Sequence, residues 1–242
     1  MQDDSLSLNI AYLYPDFLKD DCDTSNLKAF FLRAKARNIK VTIDEIKNDD
    51  KIDENKYDFY YISGSNVDML DSCSEMLLKN ADSLKCAIFK NVPMLAINCG
   101  YVLLGKIFQL KNKKPKNGLA IFDMISRQDG FVNYSTVKGH CNFLASKEIR
   151  GIEKHEMTTY FNSSTPHFLD LEQGIGNNDR DNKDGARLFN VIGTYIISPL
   201  LAQNPYFCDY LISNALQVKY KQLISLTSLN DDIENASYNR IL

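Results

Sequence analysis

The sequence predicts an α/β fold: a largely parallel sheet with helices on both faces and extra β hairpins in the second half. Three observations predict it. Short apolar runs alternate with amphipathic stretches up to about residue 110, the order in which βαβ units appear along a chain. Most of those runs are apolar throughout, as strands covered on both faces are. Beyond residue 118 the pattern changes to short β-like runs without long helices.

In chain order, LNIAYLY (8–14) is short, apolar and aromatic, and suits a first buried strand. The run Asp20-Asp21-Cys22-Asp23-Thr24-Ser25 offers several helix caps before Leu27, Phe30, Phe31 and Ala34 recur on one helical face. NIKVTIDEI (38–46) alternates apolar and polar residues as a second strand does, and YDFYYISGS (57–65) reads as a strand closing in a small-residue turn. Met69, Cys73, Met76, Leu77, Leu84, Ala87 and Ile88 mark one long helix, VPMLAI is the next strand, and helical spacing resumes after Gly100. GLAIFDMIS, GFVNYSTV and TTYF read as short strands, and GIGNNDRDNKDG (174–185) as a turn or exposed loop that lacks the regular spacing of a calcium-binding EF-hand. RLFNVIGTYI (187–196) predicts a strand, and YFCDYLISNALQVKYKQL (206–223) a helix introduced by Asn204-Pro205. Residues 1–225 are expected to form one domain, and 226–242 a polar tail that frays at its end.

With 242 residues, 44% of them hydrophobic, and a formal charge of −3, the composition is that of an ordinary globular chain. Slight acidity argues against nucleic-acid binding, which needs a basic face; the dense basic stretch Lys111–Lys116 reads as a solvated loop. Six cysteines, at 22, 73, 86, 99, 141 and 208, form no CxxC pair and no metal-ligand spacing with the three histidines. They read as reduced thiols, so neither a metal nor another cofactor is expected. The first residues, Met-Gln-Asp-Asp, lack the basic start of a signal peptide, and no apolar run is long enough to span a bilayer. A cytoplasmic location without membrane insertion is expected.

Chemistry in such sheets sits at the carboxyl ends of the strands. Two turns fall there: Ser63-Gly64-Ser65 and Asn98-Cys99-Gly100. The second, in VPMLAINCGYVLLG (92–105), has the strand–turn–helix form in which α/β enzymes present a nucleophile.

Several segments, in the right order, resemble the class I glutamine amidotransferases of the CobB/CobQ type. Within them the chain most resembles the GatD family, the glutaminase subunits of bacterial lipid II isoglutaminyl synthase. RAKARNIKVTIDEI, MLAINCGYVLLG, GLAIFD, GIEKHEMTTY, GIGNNDRDNKDG and NVIGTYIISPLLAQNP carry the resemblance. It implies a cysteine thiolate activated by a histidine, a glutamyl thioester, and backbone N–H groups around the oxyanion. It also implies a partner, a MurT-like Mur ligase that amidates the D-glutamate of lipid II, and glutamine or another small polar ligand in the pocket.

The resemblance breaks at the chemistry. The family elbow reads Cys-Gly-Gly-Tyr-Gln; Gly100, Tyr101, Leu103, Leu104 and Gly105 fix the register and place Asn98 at the nucleophile position, with Cys99 one residue later. Successive side chains at a strand end point to opposite faces, so Cys99 is expected to project away from the site. The family's final strand reads Gly-Thr-Tyr-Leu-His-Gly-Pro, which puts Ile197 where the catalytic histidine belongs. Its Gly-Gly-Gly oxyanion turn is Ser63-Gly64-Ser65 here, with Gly100 completing the loop set, and Arg127 is the nearest match to the substrate-binding arginine. These departures describe a glutaminase scaffold without intact catalytic residues. The alternative is an active amidotransferase subunit using a rearranged Cys99 with His155 as base. His140 is a weaker substitute, His167 reads as a surface residue, and Cys141 and Cys208 have no elbow around them.

Overall fold

The computed structural model describes residues 6–18, 24–145, 147–162, 165–197 and 199–238, with the side chains of 237 and 238 excepted. Most of the cap run at 20–25 lies outside the described residues. The chain opens with strand β1 (Ser7–Leu13), helices α1 (Pro15–Leu18) and α2 (Thr24–Lys35), and strands β2 (Lys40–Ile46) and β3 (Phe59–Gly64). Next come α3 (Leu70–Lys79), α4 (Ala81–Phe89), β4 (Met94–Asn98) and α5 (Cys99–Leu103). Seven more strands follow: β5 (Gly105–Gln109), β6 (Lys116–Asn117), β7 (Phe122–Cys141), β8 (Lys147–Phe161), β9 (Leu169–Gln173), β10 (Lys183–Asp184) and β11 (Ala186–Leu188). Strand β12 (Val191–Thr194) and helices α6 (Leu200–Gln203), α7 (Pro205–Tyr220) and α8 (Asp232–Tyr238) complete it.

The first sheet runs β11-β12-β4-β3-β1-β2 and is parallel except at β11. Its inner strands β12, β4, β3 and most of β1 are buried on both sides, and alternate residues feed two cores. Tyr60, Ile62, Met94 and Ala96 face one cluster with Cys73, Leu77 and Leu84 of α3 and α4. Phe59, Tyr61, Leu95 and Ile97 face the other, with Leu27 and Phe30 of α2 and Phe207 and Leu211 of α7. The α/β expectation is therefore met, and both helical layers are the ones the apolar spacing marked.

Four element readings are corrected. The single helix over 69–88 is two, broken at Asn80. That side chain turns away to accept from the Ile52 N–H (3.0 Å) and to donate to Tyr14 Oη (3.1 Å) and the Asp50 carbonyl (3.0 Å). The helix after the elbow stops after five residues, because the Leu103 and Leu104 carbonyls accept from the N–H groups of Leu119, Ile121 and Phe122 on the returning chain. The short runs of 118–161 merge into the long antiparallel pair β7–β8, whose register shifts at a bulge between Gln128 and Asn133. The strand foreseen at 187–196 is a hairpin, turned where Phe189 takes φ 53°.

The second sheet runs β10-β9-β7-β5-β6, with β8 on β7. It meets the first where Ile197 N–H donates to the Ile152 carbonyl (2.8 Å) and Glu153 bridges to Ile196. Strand β8 is thereby laid across the carboxyl end of the first sheet.

Candidate functional site

Strand β4 is buried along its whole length and ends at Asn98, where φ 52° and ψ −111° swing the chain into α5. Asparagine tolerates positive φ better than most residues, yet this pairing with ψ lies outside the left-handed helical well and stores strain of about 1–3 kcal/mol. Asn98 stands beside Gly64 in the β3–β4 register. Two of the turn residues are glycine for lack of space: a Cβ on Gly64 would lie 1.7 Å from the Leu18 carbonyl oxygen, and one on Gly100 would lie 2.4 Å from that of Ile62. Ser63 is fully buried, while Ser65 reaches the site wall.

That wall encloses a cavity of about 120 Å³ lined by Ser65, Asn98, Val132, Lys154, His155 and Glu156. Asn98 is 2% exposed and its amide NH2 donates to the Lys154 carbonyl at 2.8 Å. Its Oδ1 has no partner among the described residues. Cys99 does not line the cavity; it is fully buried in the α3–α5 core with Leu77, Val102 and Leu103. Ile197 is half-buried and is likewise absent from the wall.

His155 is the candidate base that does reach the cavity. Its ring stacks on Tyr195, with centroids 3.9 Å apart and planes at 11°. Nδ1 lies 2.6 Å from the Met157 carbonyl, which can only accept, so Nδ1 carries the proton. Nε2 has no hydrogen bond among the described residues, although Glu153 Oε2 is 3.5 Å away. Glu153 is fully buried and accepts from the N–H groups of Ile175 (2.5 Å) and Gly176 (2.8 Å). Behind the pair lies a second buried carboxyl, Asp184, which accepts from the Thr194 hydroxyl and the Tyr195 N–H. Burial, and after it the charge of Glu153, pushes Asp184 up to about 7 against the pull of those hydrogen bonds. Sequence reasoning missed this carboxyl pair; acidic residues at 153 and 184 look like solvated charges until the fold closes over them.

The remaining candidates lie elsewhere. Arg127 is exposed on β7 and lines neither this cavity nor the neighbouring one of about 240 Å³. His140 contacts Glu172 at 2.6 Å, and His167 contacts Asp170 at 2.9 Å. Cys141 and Cys208 are buried, and burial raises both thiols, Cys141 to about 12. The 111–116 stretch lies against α3 through Lys113–Asp71 and Lys116–Glu75 pairs. His140, Glu148 and Glu172 converge closely enough to suit a metal ion, but the Lys138 ammonium already bridges both carboxylates, at 3.1 and 2.7 Å.

The arrangement can hold a small polar molecule, and no cysteine is among the residues that line it. The family model for the CobB/CobQ-like glutamine amidotransferase domain matches residues 12–205. Over 212 residues, covering 88% of this chain and 86% of the relative, the sequence is 32% identical to a lipid II isoglutaminyl synthase (glutamine-hydrolyzing) subunit GatD of Staphylococcus aureus (strain N315). It is 27% identical over 227 residues to the GatD subunit of Streptococcus pneumoniae (strain ATCC BAA-255 / R6), covering 93% and 86%. Among solved structures, PurLQS from Thermotoga maritima superposes with TM-score 0.55 at 14% identity, covering 90% of this chain and 100% of the matched one. A glutamine amidotransferase gives 0.56 at 11%, covering 85% and 98%. These two likenesses speak to fold alone.

Proposed function

Because the chain belongs to the CobB/CobQ-like glutamine amidotransferase family, we propose that it is a GatD-like subunit of a lipid II isoglutaminyl synthase that has lost its own glutaminase chemistry. In this reading it partners a MurT-type ligase that amidates the D-glutamate of lipid II, in the cytoplasm. The helices of the described residues include none long and apolar enough to cross a membrane, which fits that location. The subunit role is carried over from the two curated relatives. The loss of chemistry rests on one observation: the strained turn that should expose a thiolate to the cavity exposes an amide, while Cys99 is sealed in the core.

A neutral amide cannot supply the nucleophile of acyl transfer. Glutamine entering the cavity would meet a turn of the right shape and no attacking group. What the scaffold would keep is its surface, and with it the capacity to bind and hold a ligase that draws on free ammonia.

The alternative, a working subunit built on Cys99 and His155, requires the elbow to slip by one residue. That slip would bring a buried side chain into the cavity and send Asn98 into the core. Nucleophile and base need to approach hydrogen-bonding distance, and Cys99 starts from a position outside the wall on which His155 stands.

The deciding measurement is glutamate release from glutamine by the full chain, with and without a MurT-type ligase, beside Cys99→Ala. The expected result is no release from either form, with the ligase still co-purifying. Release that disappears in Cys99→Ala would establish the alternative.

A further inference from the structure

We infer that β2, the open edge of the first sheet, is a self-association surface on which two copies of the chain pair as antiparallel strands about a two-fold axis centred on Ile43. The inference concerns a face other than the elbow and goes beyond the subunit reading without resting on it.

Among the described residues β2 ends the strand order and pairs with β1 alone. The Lys40 N–H donates to the Leu6 carbonyl (2.8 Å), and the Tyr14 N–H donates to the Ile46 carbonyl (2.9 Å). In a parallel ladder every second residue of a strand turns both its backbone groups to the same neighbour. Lys40, Thr42, Asp44 and Ile46 are therefore bonded to β1, while Val41, Ile43 and Glu45 turn their N–H and C=O groups to the open side. Such an edge is a template for a further strand unless a bulge, a proline or a covering segment blunts it. This one runs seven residues, KVTIDEI, in unbroken register, and Ile43 at its middle is 36% exposed.

The charges on the edge choose the occupant. A second β2, run antiparallel with Ile43 opposite Ile43 of the second copy, sets Val41 opposite Glu45 of that copy. Every outward group then has a mate, three donors from each chain and about six hydrogen bonds in all. On one face of the pair Thr42 meets Asp44 of the second copy, and Lys40 lies diagonal to the same Asp44, within reach of a long side chain. Lys56 (2.7 Å) and Tyr57 (3.2 Å) both contact Asp44 Oδ2, which leaves Oδ1 for that ammonium. The two-fold axis repeats the contact. Centring the pair on Asp44 or Glu45 instead would set like carboxylates face to face. Centring it on Thr42 or Val41 would leave Glu45 beyond the end of the opposing strand. Charges that discourage indiscriminate pairing thus specify one register. The edge is three strands from β4, roughly 14 Å at about 4.8 Å per strand, so the pairing does not involve the elbow turn.

The test is sedimentation velocity of the full chain from roughly 1 to 500 µM, with cross-linking to read the register. A seven-residue ladder is a small interface, so the expected dimer has a Kd on the order of 10–100 µM. Ile43→Lys sets two ammonium groups against each other at the axis and is expected to weaken association by about tenfold or more. Ile43→Cys, oxidised with copper phenanthroline, is expected to cross-link to itself above the background of the parent chain. Cα atoms of a hydrogen-bonded pair lie about 5.5 Å apart, inside the range of about 4.4–6.8 Å that a disulfide spans. Lys47→Cys, roughly 26 Å from its counterpart in this register, is expected to stay uncoupled. A monomer throughout the range, a dimer undiminished in Ile43→Lys, or coupling at Lys47→Cys equal to that at Ile43→Cys would each overturn the inference. So would a chain that stays monomeric alone and is captured along β2 by a MurT-type ligase. Should Ile43→Lys fail to fold, Lys40→Glu carries the test, since it turns the exposed Lys40–Asp44 contact into a repulsion and weakens the dimer by a smaller factor.

Discussion

Asp184 is the residue whose environment has the sharpest consequence. Its carboxyl is fully buried and held up to about 7, against roughly 3.9 when exposed. Between about pH 4 and 7 the folded chain therefore keeps a proton that the unfolded chain has released, and stability falls as pH rises through that window. Below it both states are protonated; above it the full cost, of order a few kcal/mol, remains. Asp184→Asn is expected to flatten the pH dependence of Tm across pH 4–7 and to melt above the parent at pH 8, as read by calorimetry. Gly64 has no such latitude. An added Cβ meets the Leu18 backbone, so Gly64→Ala should lower stability by about 2 kcal/mol or more in denaturant melts. The residue scale is also where the sequence was most legible for the site. A register fixed by Gly100, Tyr101 and Gly105 was enough to put Asn98 at the turn, and Asn98 is the residue found on the cavity wall. The buried Glu153–Asp184 pair was not legible, because nothing local distinguishes it from the charged residues of a surface loop.

At the scale of elements, periodicity identified helices and strands but not where tertiary contacts interrupt them. Spacing alone runs a helix from Met69 through Ile88; Asn80 breaks it because three partners from distant segments outbid the helical path. Burial raises the Tyr14 hydroxyl to about 12, and the hydrogen bond from the same Asn80 side chain opposes the rise. Asn80→Ala is expected to cost about 2–3 kcal/mol, since it leaves a buried N–H and a buried hydroxyl without their partner. The matching fall in Tm is about 4–12 °C. The strands of the β7–β8 hairpin showed in the sequence only as short separate runs, for the converse reason. Gly130 and the polar residues around it look like a strand end, and only cross-strand pairing over fourteen register positions carries the ladder past the bulge.

Over the whole molecule, the two sheets and the carboxyl-terminal segment are held together by contacts between residues remote in sequence. Arg33, almost buried, pairs with Asp209 of α7 and with Asp231, each at 2.7 Å, and Arg37 donates to the Thr227 carbonyl at 2.7 Å. Residues beyond 225 are thus tied to α2. Asp231→Asn should change Tm little, because partly exposed pairs contribute about 1 kcal/mol or less. It should nevertheless speed amide hydrogen exchange in α8, which mass spectrometry would resolve from an unchanged core. The α/β architecture was readable at this scale because strands buried on both faces leave an unmistakable apolar signature. The β content of the second half was readable too, as extra hairpins, but its assembly into a second sheet was not, since those strands are largely half-exposed and pair with partners that no local pattern names.

The position of β12 has a consequence for how the chain is made. Strand β4 carries the elbow, and its outer neighbour is β12, which lies about a hundred residues further along. On the ribosome the strands β1, β3 and β4 emerge and can pair while the edge of β4 still lacks its neighbour. An apolar, unpaired strand edge is the feature that other chains most readily add to. The nascent protein therefore passes through a stage in which its central strand is adhesive, and the stage ends only when Val191–Thr194 arrive. Release of the chain before residue 191 would leave that edge permanently open, so premature termination is expected to yield aggregates rather than a folded fragment. Correct folding is in this sense a matter of timing: the strand that presents the site is sealed by the last of the described strands to be synthesised.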